Sequence, residues 1–268
     1  MNNTFGFIGA GNMGGALARA ASKALQPDCI TLADQMAEKA AALAAELGCN
    51  SADTATVAQN STYIFLGVKP QVMEIMLSQI TPVLAARKDR FVLVSMAAGV
   101  SIGDIRRMLN KDYPVIRIMP NIPVSVGGGV ILYDATEDVT PEEISFFCEH
   151  MRYAGLLDRL PEKLIDAGSA LSGCGPAFVS LFIEALADGA VACGLPRNQA
   201  VAYAAQTLAG TAKMILETGM HPGQLKDAVC SPGGTTIAGV GALEAGGFRG
   251  SAMDAVVTAY EKTLDLAN

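Results

Sequence analysis

Residues 9–14 read Gly9-Ala10-Gly11-Asn12-Met13-Gly14, three glycines at a spacing that can hold phosphate groups. With 28 glycines in 268 residues, roughly 0.3 such strings arise by chance, so the spacing alone says little. Its setting says more. The string directly follows the apolar run Phe5–Ile8 and opens a helical pattern. In that setting the first glycine makes a tight turn, the second lets a pyrophosphate approach the backbone, and the third lets helix and strand pack closely. The unpaired N–H groups of the helix start then bind the phosphates.

Asp34 lies 20 residues beyond Gly14, at the end of the next apolar run. A carboxylate there can accept a hydrogen bond from a ribose 2′-hydroxyl and would repel a 2′-phosphate. An ordinary turn or helix-capping aspartate fits equally well, and Lys39 is near enough to meet a 2′-phosphate, so the choice between NAD(H) and NADP(H) stays open. Three later strand ends have a matching character: Lys69-Pro70, Ala97-Ala98-Gly99 and Pro120-Asn121. Each alone is an ordinary turn. Together they line the carboxyl edge of a sheet, where ligands bind in such folds, with residues small enough for a flat ring to approach. The most unusual segment is Ser231-Pro232-Gly233-Gly234-Thr235-Thr236, inside a charge-free run from Ala228 to Leu243. Ser and Thr flanking Pro-Gly-Gly ahead of a helical pattern predict a capped helix start, whose free N–H groups suit a carboxylate; a plain interhelical turn is the alternative.

Other chemistries are disfavoured. With only two histidines, His150 and His221, a multi-histidine metal site is excluded. Six cysteines without a CxxC pair read as free thiols in a reducing compartment. A net charge of −7 and a pI near 4.9 argue against nucleic acid or an anionic membrane as partner. The start lacks the basic and apolar regions of a secretory signal, and the charge-free stretch from Ala167 to Ile183 is broken by Gly173, Gly175 and Pro176, which predicts a cytoplasmic protein.

The elements that must position these groups fall into two halves. Strands are expected at 5–8, 29–33, 63–68, 91–95, 115–119 and 130–133, with helices at 12–24, 35–47, 70–84 and 101–110. Continuous apolar strands alternating with helices predict a mostly parallel sheet covered on both faces. After Leu160 the pattern is helical throughout. The fold class is therefore α/β, a Rossmann-type dinucleotide-binding domain over 1–160 followed by an all-helical domain over 161–268. The stretch Phe178–Cys193 is apolar almost all round, with Glu184 and Asp188 its only charges, and reads as a subunit interface; a central core helix is the alternative.

With these residues assembled, the chain resembles the pyrroline-5-carboxylate reductase family. The motifs are FIGAGNMG at the start, GVKPQ at 67–71, SMAAG at 95–99, RIMPNIP at 117–123, SGCGPAF at 172–178 and LKDAVCSPGGTTIAGVGALE at 225–244. The resemblance implies hydride transfer from NAD(P)H to the C=N carbon of 1-pyrroline-5-carboxylate. It also implies homodimers built through the helices, with rings of dimers in some members. Carried over by motif, Ile8, Gly9, Ala10, Gly11, Asn12 and Met13 hold the pyrophosphate. Gly67, Val68, Lys69 and Pro70, with Met96, Ala97 and Ala98, line the rest of the coenzyme groove, and Asp34 stands near the adenosine ribose. Ser231, Gly234, Thr235 and Thr236 meet the substrate, the Thr236 hydroxyl bonding the ring nitrogen as the catalytic contact, and Glu162 matches a position near it. Ala228 departs from members that carry an asparagine there. A β-hydroxyacid dehydrogenase shares the glycine-rich start, but its lysine with asparagine four residues on is replaced here by Lys213 and Glu217. A non-catalytic nucleotide sensor on the same fold is the other rival.

Overall fold

The computed structural model describes residues 3–267. The first unit runs to Gly173 and takes in the chain again from Tyr260; the second is Cys174–Ala259. Eight strands form one sheet: β1 (Phe5–Ile8), β2 (Ile30–Ala33), β3 (Asn50–Ser51), β4 (Tyr63–Leu66), β5 (Val92–Ser95), β6 (Val115–Pro120), β7 (Gly129–Ala135) and β8 (Gly155–Arg159). Their order is β3-β2-β1-β4-β5-β6-β7-β8. All neighbours are parallel except β6 and β7, which pair antiparallel. The sheet grows first to one side of β1, through β2 and β3, and then to the other, through β4 and β5. This makes the switch point at which doubly wound sheets open a crevice beyond their carboxyl ends.

Helices α1 (Asn12–Ala21), α2 (Ala37–Leu47), α3 (Thr54–Asn60), α4 (Pro70–Ala86), α5 (Ile102–Leu109) and α6 (Pro141–Met151) cover the sheet. Strand alternation sends Phe5, Phe7, Tyr63 and Phe65 to one core, shared with Phe147. It sends Ile8, Ile64 and Leu66 to the other, with Met73, Leu77 and Ile80 of α4. The first core is built on aromatic pairs, Phe7 and Phe65 stacking at 4.3 Å and Tyr63 and Phe146 at 5.4 Å. The Tyr63 hydroxyl donates to the Glu143 carbonyl at 3.0 Å. Burial, helped by the charge of Glu143, pushes this phenol well above its ordinary pKa and keeps it a donor.

Four elements escaped the sequence reading, β3, α3, α6 and β8, and α1 stops three residues short of the expected end. Helix α6 carries its own signal. Thr140 accepts from the Glu143 N–H, Glu143 accepts from the Thr140 N–H, and Pro141 opens the helix.

The compact first unit reaches past residue 160 because α7 (Glu162–Ser172) is pinned to the sheet. Ile165 is fully buried with Met119 and Leu132, and Arg117 of β6 pairs with Asp166 at 2.8 Å and Glu162 at 3.2 Å. The Arg117 side chain is only 4% exposed, so two carboxylates compensate one desolvated guanidinium.

The second unit holds α8 (Gly175–Ala192), α9 (Arg197–Thr218), α10 (Pro222–Val229), α11 (Thr235–Ala245) and the first turns of α12 (Phe248–Ala267). Its buried apolar residues are three alanines, Ala187, Ala200 and Ala204. Leu181, Leu216 and Met253 stand 68%, 81% and 64% exposed. The helical stretch Glu162–Ala192 is by length and composition apolar enough to cross a membrane, although it carries Glu184 and Asp188.

Candidate active site

Ile8 ends β1, and Gly9 turns the chain with φ +109°, a conformation that side chains rarely adopt. A Cβ on Gly9 would lie 2.4 Å from the Gly67 carbonyl oxygen, and one on Gly14 would lie 2.0 Å from the Gly9 oxygen. These two glycines let the β1–α1 turn nest against α1 and the end of β4. Gly11 is different. A Cβ there meets no atom within 4 Å, so protein packing does not require the glycine. It is also the N-cap of α1 and supplies no side-chain cap to the first turn. A bare helix start beside open space is what a phosphate group needs, and this cradle fits a dinucleotide.

The turn is held from below. Asp34, just after β2, accepts from the Ala10 N–H at 2.8 Å through one carboxylate oxygen and from the Met36 N–H at 2.9 Å through the other. The Ala10 N–H is therefore committed to Asp34, which leaves the N–H groups that follow it to face a phosphate. The carboxylate keeps unused lone pairs, since each oxygen has two.

The remaining strand ends gather along the same carboxyl edge. Gly67 donates its N–H to the Ile8 carbonyl at 2.8 Å, which joins the ends of β4 and β1. Val68 follows half-buried, Lys69 is the exposed N-cap of α4, and Pro70 is its first residue. After β5, Met96 is half-buried, Ala97 buried and Ala98 exposed, and Gly99 turns at φ +71°. Pro120 closes β6, and Asn121 beyond it is buried. The structure thus brings together in the first unit every residue expected to line the coenzyme groove.

Glu162, at the start of α7, also belongs to the first unit. Its Oε1 accepts from the Ile102 N–H at 2.7 Å and from the Arg117 guanidinium at 3.2 Å. One carboxylate oxygen thereby ties the start of α5 to the sheet and to α7. This network rests on long-range contacts and left no local signature in the sequence.

The second unit holds Ser231, Gly234, Thr235 and Thr236. Gly233 turns at φ +65° and the Gly234 N–H bonds the Ser231 carbonyl at 3.1 Å. The N-cap of α11 is Gly234, with no side-chain cap bond, so the expected Ser or Thr cap is not made. Thr235 and Thr236 are instead the first two helical residues, both exposed, with their own N–H groups in the first turn. This loop can receive a carboxylate on the backbone and present a hydroxyl beside it. Lys213 lies exposed in α9, 3.6 Å from Glu217, and is no buried base.

Comparison with known proteins agrees with this geometry. Residues 162–266 match the family described as pyrroline-5-carboxylate reductase dimerisation, and residues 4–99 match one described as NADP oxidoreductase coenzyme F420-dependent. The chain is 44% identical over 270 residues to the pyrroline-5-carboxylate reductase of Escherichia coli strain K12, covering 100% of this chain and 99% of that one. Its fold is similar to that of a pyrroline-5-carboxylate reductase from Coxiella burnetii, with TM-score 0.92 and 30% identity over the whole of both chains. It is likewise similar to the Plasmodium falciparum pyrroline carboxylate reductase with NADP bound, with TM-score 0.87 and 30% identity, covering 100% of this chain and 99% of that one. A glycine cradle at a sheet switch point, an uncapped Gly-Gly-Thr-Thr helix start and end-to-end similarity converge, and the chain belongs to the pyrroline-5-carboxylate reductase family.

Proposed function

We propose that this protein reduces 1-pyrroline-5-carboxylate to L-proline, NAD(P)H supplying a hydride to the C=N carbon of the protonated imine. The observation that carries the reading is the pairing, in one chain similar end to end to such reductases, of the bare phosphate cradle at Gly11 with the uncapped helix start at Gly234.

The roles divide accordingly. Backbone N–H groups of Gly11, Asn12 and Met13 hold the pyrophosphate. Gly67 to Pro70 and Met96 to Ala98 line the groove for the rest of the coenzyme. In the second unit the first-turn N–H groups of α11 receive the substrate carboxylate, while the Thr236 hydroxyl oxygen accepts from the ring N–H. Ser231 shapes that turn, and Glu162 holds the start of α5 in the first unit. A protonated imine is already electrophilic, so these residues chiefly orient it. Holding donor and acceptor carbons roughly 3–3.5 Å apart supplies several kcal/mol without a strong acid.

Asp34 leans the coenzyme choice toward NADH, because its spare lone pairs suit ribose hydroxyls and its charge repels a 2′-phosphate. NADPH remains a working donor in this reading. The exposed apolar faces of α8, α9 and α12 are covered by a second copy, giving a homodimer from which a ring of dimers can be built. Glu184 and Asp188 on α8 speak against lipid as the cover. The six unpaired thiols suit the cytoplasm. The functional division runs near residue 160, between a coenzyme part and a dimerisation and substrate part.

The test follows absorbance at 340 nm with NADH or NADPH and pyrroline-5-carboxylate. Turnover is expected with both coenzymes. Oxidation of 3-hydroxyisobutyrate in its place would support a β-hydroxyacid dehydrogenase, and coenzyme binding without turnover would support a sensor.

A further inference from the structure

Pro176 interrupts what is otherwise continuous helical backbone. Gly173 and Cys174, between α7 and α8, both have right-handed helical φ and ψ. In a helix the N–H of residue 176 would bond the carbonyl of residue 172, but proline has no N–H. The Ser172 carbonyl instead accepts from the Asn121 side chain, Nδ2 to O 2.9 Å. Asn121 is 93% buried, directly after β6 on the carboxyl edge that carries the coenzyme groove. Its amide is oriented from the other side too, because Oδ1 accepts from the Val130 N–H at 2.8 Å. Both bonds fix which end of the amide donates, so an isosteric carboxylate keeps one and turns the other repulsive.

We infer that Asn121 is a positioning residue for hydride transfer: it supplies the donor that Pro176 lacks and fixes the last turn of α7 against the strand end beside the coenzyme groove. The residue touches no reacting atom in this account. It acts by holding the end of α7 to the strand end beside the groove. Misplacement of reacting groups by about 1 Å can cost up to about a hundredfold in rate.

Asn121→Asp keeps the acceptor for Val130 and places an anionic oxygen against the Ser172 carbonyl. A tenfold to hundredfold fall in kcat is expected, with coenzyme Kd within twofold of wild type and a larger primary isotope effect with deuterated NAD(P)H. Pro176→Ala supplies a backbone N–H to the same carbonyl, so in that background Asn121→Asp should cost several-fold less. An unchanged kcat would overturn the inference. So would a penalty equal in both backgrounds, or a coenzyme Kd that rises in step with the loss. If Asn121→Asp yields no soluble protein, recovery in the double variant supports the inference and continued insolubility overturns it. The inference rests on the reductase reading. A wild type without activity on pyrroline-5-carboxylate fails that reading, whereas an active wild type with an indifferent Asn121→Asp fails only this one.

Discussion

The two units of this chain solve stability in opposite ways. The first surrounds an eight-stranded sheet with two apolar cores and buries even an arginine between paired carboxylates. The second has five helical segments and only three buried alanines, while leucines and methionines that elsewhere would form a core face outward. A helical domain of this size cannot rest on three alanines, since each fully buried large apolar side chain supplies about 1.5–3 kcal/mol. The first unit is complete in one chain. The second leaves its large apolar side chains for a second copy to cover, and in the proposed function the loop at Ser231–Thr236 depends on that copy too.

The comparison breaks most directly at α8. Leu181→Glu places a charge on an apolar face that a second copy must cover, at a cost of several kcal/mol. Loss of the dimer and of nearly all activity is expected, and light scattering at micromolar concentration reads it. A stable, active monomer, whether from wild type or variant, would remove the need for a second copy.

Thr236→Ala is expected to lower kcat/KM for pyrroline-5-carboxylate by about 10–100-fold, roughly 1.4–2.7 kcal/mol for one hydrogen bond to a charged group. Thr235→Ala should do less, because its contact through the backbone N–H survives. Since Gly234 and not a threonine caps α11, the thermal midpoint should barely move. A destabilised Thr236→Ala with full activity would reduce the residue to a structural part of the helix.

The smallest effect belongs to Asp34→Ser. Removing the charge relieves repulsion at a 2′-phosphate and should raise the NADPH-to-NADH preference by roughly fivefold to tenfold, about 1–1.4 kcal/mol, the size of a charge pair screened by bulk water. The Ala10 and Met36 N–H groups lose their carboxylate, so a loss of about 1 kcal/mol in stability should accompany it. An unchanged coenzyme ratio with that same loss would assign Asp34 to bracing the turn alone.

How much of this was legible beforehand follows from the range of each interaction. Gly9 and Gly14 are visible because a positive φ and a close approach of backbones can be met by glycine alone within a six-residue string. The inner strands of the first unit are visible because both sheet faces are buried there, which leaves unbroken apolar runs, whereas the edge strands β3 and β8 are largely exposed and carry none. Helix α6 was readable from Thr140, Pro141 and Glu143, yet the adjacent Phe146 and Phe147 hid the helical period. The grip of Arg117 on Glu162 and Asp166, and of Asn121 on Ser172, joins residues 45 to 51 positions apart, and no local pattern encodes them. In the second unit the helices were legible, but what covers their apolar faces is not contained in one copy of the chain.

The proposed function divides the labour, coenzyme on the first unit and substrate on the loop of the second, and one crossed measurement tests that division. Coenzyme Kd and the KM for pyrroline-5-carboxylate are determined on Gly11→Ala and Thr236→Ala, both expected to fold because neither added nor removed atoms disturb protein packing at Gly11 or the cap of α11. Gly11→Ala is expected to weaken coenzyme binding at least tenfold, with little change in substrate KM measured at saturating coenzyme. Thr236→Ala should impair use of the substrate and leave coenzyme Kd within twofold of wild type. If either variant moves both constants alike, coenzyme and substrate are not divided between the two units in this way.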